Sequence, residues 1–272
     1  MNGGAAAGRP PERADWRPWC LASAALVALV ALVPPLFTAA RETDYAAALQ
    51  FALLAIVVPA LVTIGAPWRG LRLSAGSSAV VTADAPERVL DKVAGRRRRH
   101  PELLRSLGFI ALDLVVVVAW RSPGVVGTVA RHGWPAVLEA VTLLVVGVGL
   151  WLELVRSPPL EPRSGHLRRA VLAAIVMWVF WTLAYIVGLS NHAFYPNFTH
   201  VPGGLSAAAD QQIASALWWF VATLAFVPVI FWNAVMWLKT EDDPDTELIA
   251  LIRVERRRGT PLSGAGEDTP PA

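Results

Sequence analysis

Cysteine is almost missing from this chain: Cys20 stands alone among 272 residues. That excludes a disulfide framework and any metal site built on two thiolates. Histidine is scarce too, with five residues, and no two of them have the spacing and membrane depth of a bis-histidine haem site. The sequence holds no zincin motif, Walker loop, Gly-x-Ser-x-Gly elbow or cysteine and histidine couple, so no catalytic residue is assigned and an enzyme is not expected. Charge is the largest deficit. Asp, Glu, Lys and Arg make up 17% of the chain against 55% hydrophobic residues, and from Ala170 to Leu238 Asp210 is the only one of the four.

What fills their place is apolar sequence in long runs. A helical crossing of a hydrocarbon core needs about 20 apolar residues, and six segments have that character, at about 19–40, 45–67, 103–120, 136–155, 169–190 and 213–238. Strand-period alternation is absent, and these runs exceed the roughly 10 residues of a barrel strand. Pro34, Pro35, Pro59 and Pro228 would break soluble helices, but membrane bundles tolerate them because neighbouring helices satisfy the freed carbonyls. The expected fold class is therefore all-α, a polytopic membrane helix bundle of about six transmembrane helices. It divides the chain into an N-terminal segment 1–18, a bundle 19–238 and a tail 239–272. In the tail, acids at 242–245 precede LIALIRV and then Arg256 to Arg258, the charge order that a helix dipole favours. A short helix followed by a disordered end is expected there, and another short helix at 86–94.

Basic residues set the orientation. Twenty-one lysines and arginines fall in 1–18, 68–105, 156–169 and the tail, leaving only Arg41, Arg121 and Arg131 for the opposite face. Both termini are thus expected to be cytoplasmic. The cluster Arg96 to Arg99 reads as a juxtamembrane anchor for anionic headgroups rather than a nucleic-acid site. Arg9, Arg13 and Arg17 ahead of an apolar stretch ending in Thr38-Ala39-Ala40 also have the form of a signal peptide. That stretch, however, is longer than an h-region of about 7 to 15 residues. Two lysines against 22 arginines, with Ala, Val and Leu dominant, suit a high-GC bacterial genome and hence a bacterial cell membrane.

Polar residues at membrane depth are costly and are candidates for function. Asp113 falls near the middle of the third span, where a lone carboxyl acts more readily as a bond between helices than as a proton relay. Gln50, Glu139, Tyr195, Asp210, Gln211 and Gln212 all map to the outward ends of spans or to the outward loop before the last one. They form the expected functional polar cluster, with Asp210 also placed to cap the last helix. Glu153 and Asn233 fall on the inward side, where snorkelling or helix contacts account for them. The twelve tryptophans mostly flank span ends as interfacial anchors do. Met177, Met236, Trp178, Trp181 and Trp232 read as packing or lipid contacts.

At these positions the chain resembles the CtaG-like cytochrome c oxidase assembly factors. The matching stretches are ALVPPLFTAARETDYAAALQFALLAIVVPALVTIGAP at 31–67, Trp120 with Pro123, AVLEAVTLLVVGVGLWLELV at 136–155, Tyr195-Pro196, the Gly204-Leu205-Ser206-x-x-x-Asp210-Gln211-Gln212 mouth, and Trp219. The resemblance implies respiratory oxidase biogenesis at the membrane, with a cytochrome c oxidase subunit or a copper carrier as partner. It also implies a further span ahead of the first one seen here. It implies a His-x-x-x-His pair in the second span and histidines in the third and fourth, where this chain has Ala47, Phe51, Arg121 and Ala140. An i,i+4 imidazole pair is the geometry a copper ion needs, so this chain is expected to hold no metal of its own. His132, His192 and His200 are the weak substitutes, all in outward loops. The alternative reading is a small membrane transporter or channel using Asp113, Glu139 and Gln50.

Overall fold

The computed structural model describes residues 16–68, 102–158, 160, 162, 164–190, 192–198 and 204–241. Among these residues every regular element is helical. They are α1 (Arg17–Leu32), α2 (Leu36–Ala39), α3 (Asp44–Gly65), α4 (Glu102–Trp120), α5 (Pro123–Arg131), α6 (Gly133–Leu154), α7 (His166–Gly188) and α8 (Ala207–Glu241), with a 3-10 turn at Pro196–Phe198. The expected helices at 86–94 and in the tail lie outside the described residues, as does His200.

By length and apolarity four helices are able to cross a membrane: α3, α6, α7 and α8. The bent pair α4 and α5, which meet at 64°, makes a fifth. The expected span at 19–40 is divided. Val33 is extended, with φ −115° and ψ 148°, which is the conformation the residue before a proline is pushed into. It ends α1 after 16 residues, and α2 restarts beyond Pro35. Val115, Val145, Leu224 and Phe231 are exposed large apolar side chains on these helices, as a lipid-facing surface requires.

α7 and α8 pack along each other, α8 also packs on α3, and α3 lies between α1 and α6. α3 is not regular throughout: Leu53–Val57 is a π-helical turn immediately before Pro59. Proline has no N–H to give to the carbonyl of Ala55, and a π-turn is one way a helix absorbs that loss. Gly147 of α6 is fitted against this point. A Cβ there would lie 2.7 Å from Pro59 Cγ and 3.0 Å from the Ala55 carbonyl oxygen. An aromatic column runs through the core, with Phe51 on Trp218 at 5.3 Å, Trp218 on Phe180 at 6.2 Å, Phe180 on Phe226 at 6.3 Å and Phe226 on Trp151 at 5.2 Å between centroids.

The two ends of the bundle differ. At the basic end, where α3 and α6 finish and α7 begins, Arg105 donates from Nε and Nη2 to the two carboxylate oxygens of Glu153 at 3.1 and 3.0 Å, and Ser106 Oγ adds a third bond at 2.9 Å. Glu153 has no exposure. Its carboxylate is therefore not snorkelling toward water, as the sequence allowed, but buried in a forked ion pair. Asn233 makes helix contacts, donating to the Val229 carbonyl and facing His166.

Candidate functional site

The opposite, loop end is organised by Arg121, which sits at the bend between α4 and α5. Its guanidinium donates from Nη2 to Asp44 Oδ1 at 3.0 Å, and the two side chains are only 7% and 2% exposed. Three rings enclose the charge: Trp218 at 4.6 Å, Tyr195 at 4.7 Å and Phe51 at 5.6 Å from the guanidinium carbon. Planar guanidinium stacks on aromatic faces where an ammonium would keep its water, which is why arginine suits such a box. The hydroxyl of Tyr195 donates back to the Arg121 carbonyl at 3.1 Å. The free space lined by Arg121, Ala48 and Trp218 is only about 10 Å³, so the box is packed shut.

Asp210 belongs to the same assembly by a different route. Its carboxylate accepts the backbone N–H of Asp44 at 2.8 Å and of Tyr45 at 2.9 Å, the first two residues of α3. The sequence assigned it to the start of its own helix. α8 begins earlier, at Ala207, with Ser206 Oγ accepting the Ala209 N–H at 3.2 Å, so the local cap is already filled and Asp210 points across to another helix. Gln211, 3% exposed, ties the loop to the helix ends. Its Oε1 accepts the Phe194 N–H at 2.7 Å and its Nε2 donates to the Val187 carbonyl at 2.6 Å. Tyr195 is itself 2% exposed, and burial pushes its phenol above the ordinary range.

Of the six expected cluster residues, Tyr195, Asp210 and Gln211 are thus drawn together around Arg121 and Asp44, and the Glu139 carboxyl is near enough to feel the Arg121 charge. Two are elsewhere. Gln50 donates to the Ala31 carbonyl of α1 at 2.6 Å, because α1 packs on that face of α3. Gln212 is one residue further round α8 and lines an apolar groove of about 320 Å³ with Tyr185 and Trp219. Asp113 is 3% exposed and its Oδ2 has no hydrogen-bond partner among the described residues. His132 and His192 are exposed, His132 at the junction of α5 and α6 and His192 in the loop. The sequence reading missed Asp44, Phe51 and Trp218 as site residues. The one available signal was Arg121, an arginine set directly after an apolar span.

A helical membrane protein with a sealed polar assembly at one end of its bundle is the class that fold and site define. The family model for the cytochrome c oxidase caa3 assembly factor matches residues 4–240. The chain belongs to that family. Comparison with curated proteins and with solved structures gives no match. The residues present do not fit a bound copper ion at the positions where the resemblance implies histidines. Arg121 brings a fixed positive charge there, stacked over Phe51, while Ala47 and Ala140 have no donor atom. No group of three or more His, Cys, Asp or Glu with metal-site geometry occurs among the described residues.

Proposed function

We propose that this cytochrome c oxidase assembly factor works without a copper site of its own, meeting an oxidase subunit or a copper carrier at its loop end. The loop end would face outward from a bacterial cell membrane, with both termini cytoplasmic, as the basic-residue distribution supports. The observation that carries the reading is the Arg121 box. A buried guanidinium bonded to Asp44 and covered by Tyr195 fixes the loop at 192–198 to α3 and α8, giving a rigid, metal-independent surface. Its role is contact and positioning, not catalysis. The transporter reading has less support, since Gln50 is spent on Ala31 and none of Gln50, Asp113 and Glu139 hydrogen-bonds another among the described residues.

A deletion strain tests it. The expected result is loss of the oxidase haem and copper absorbance bands, restored by the wild-type chain. Purified protein should carry far less than one copper per chain. One tightly held copper per chain would overturn the metal-free reading, and unchanged oxidase spectra on deletion would overturn the assembly role. Reporter fusions at Ala85, near Gly203 and after Thr260 check the orientation; an external signal at Ala85 reverses it.

A further inference from the structure

The loop end is poor in bases, and the few it has are brought together. Among the described residues it holds three arginines, Arg41, Arg121 and Arg131. Arg121 is sealed in its box, and the other two meet at the surface although they are far apart in sequence. Arg41 donates from Nε to the carbonyl of Ala130 at 3.0 Å, and Ala130 is the residue before Arg131. Arg131 donates from Nη1 to Asn197 Oδ1 at 3.2 Å. Each bond uses one N–H of a guanidinium that has five, and neither arginine forms an ion pair with a described residue. Glu42, next to Arg41 in the chain, is exposed and bonded to neither. The stretches of this end outside the described residues, Asn191 and Thr199 to Gly203, contain no acid. Every other acid outside the described residues belongs to a stretch joined to the basic end.

Depth puts this pair at the level of lipid headgroups. α6 starts two residues after Arg131 and has 22 residues, a rise of about 33 Å at 1.5 Å per residue. A hydrocarbon core is about 30 Å thick, so the first residues of α6 stand at the bilayer boundary on the loop side. Trp134 is there, 69% exposed, as an interfacial anchor. Beneath it Val137, Val141 and Val145 continue one exposed face of the helix, four residues apart. We infer that Arg41 and Arg131 together hold the phosphate of one anionic phospholipid in the leaflet at the loop end, with an acyl chain laid along this valine face. Guanidinium forks match phosphate oxygens, and two side by side favour a headgroup that carries no ammonium of its own. The valine face favours a lipid over inorganic phosphate, which gains nothing from apolar contact. Because Arg131 also holds Asn197, a lipid there braces the loop that carries Tyr195.

The test uses the full chain in zwitterionic nanodiscs or micelles, titrated with phosphatidylglycerol, with phosphatidylcholine or with inorganic phosphate alone. Native mass spectrometry counts the lipids retained, and thermal shift reads the stabilisation. Phosphatidylglycerol should be retained and should raise the unfolding temperature, while phosphatidylcholine and phosphate should do neither. The many bases of the opposite end attract anionic lipid too, so variants isolate the site. Arg41→Gln with Arg131→Gln should retain one phosphatidylglycerol fewer than wild type, with affinity falling about five-fold for each charge removed. Arg41→Lys with Arg131→Lys should keep most of the binding, because the charges survive even where the bonds to Ala130 and Asn197 do not. Equal retention of phosphatidylcholine would overturn the inference. So would an unaltered lipid count in the glutamine variant, an equal loss in the lysine variant, or equal stabilisation by inorganic phosphate.

Discussion

Asp210 caps a helix it does not belong to. Its two carboxylate oxygens take the N–H groups of Asp44 and Tyr45, which precede it by 166 and 165 residues. A helix begins with N–H groups that have no partner within the helix, and a carboxylate there also meets the positive end of the dipole. The last helix thereby fixes the starting point of α3. The next residue of α3 to matter, Asp44, then turns its own carboxylate to Arg121.

Asp210→Ala should destabilise the protein by about 1 to 3 kcal/mol, the cost of leaving buried donors unmet. Asp210→Asn keeps one acceptor oxygen and should lose about half as much. Thermal unfolding in detergent measures both. A full loss in Asp210→Asn would mean that the charge, rather than the acceptor geometry, is what the site uses.

Removing one member of the buried pair should cost more than removing both. Arg121→Met leaves Asp44 uncompensated and is expected to lose about 3 to 5 kcal/mol, while Arg121→Met with Asp44→Asn should recover much of it. Arg121→Lys should fall between, because an ammonium keeps the charge but cannot stack flat against Trp218 and Tyr195. A double-mutant cycle on unfolding midpoints gives the coupling energy, and additive losses would show that the pair does not act as a unit.

Gly147→Ala places a methyl group 2.7 Å from Pro59 Cγ, so α6 must retreat from the bend in α3. The expected cost is about 1 to 3 kcal/mol, as for other overpacked cores. Gly108→Ala, where a Cβ meets nothing within 4 Å, is the control and should stabilise α4 slightly.

Tyr195 supplies a pH dependence whose sign follows from its burial. Its folded phenol holds its proton above the usual value of 10.0, whereas the unfolded chain releases it there. Above that value the unfolded state therefore binds fewer protons, and stability falls as pH rises further; below it Tyr195 contributes no slope. A phenolate titration at 295 nm should show a delayed step that is lost in Tyr195→Phe.

The helices were legible in the sequence because bilayer thickness and apolar run length are the same quantity in different units. Their ends were less so. α8 starts at Ala207 rather than near 213 because Ser206 caps it, and a serine among Gly204, Leu205 and three alanines carries little signal alone. The site was half legible. Asp210, Gln211 and Tyr195 stood out as polar groups in an apolar neighbourhood, and they do share one assembly. Their central partners did not stand out, since Arg121 and Asp44 are 77 residues apart and each looked like an ordinary charge at a span end. For Glu153 the sequence leaves snorkelling and helix contacts open, and only the packing of α4 on α6 selects the second and reveals Arg105 as its counter-ion.

The enclosure of Arg121 has an effect on the conditions under which the loop end keeps its shape. A histidine cluster answers to acidity, and a metal centre answers to the supply and oxidation state of its ion. An arginine side chain does neither, since it stays protonated at any physiological pH and has no redox chemistry. Toward the metal the loop end is in this sense unconditional. It would hold its form in copper-starved and copper-replete surroundings alike.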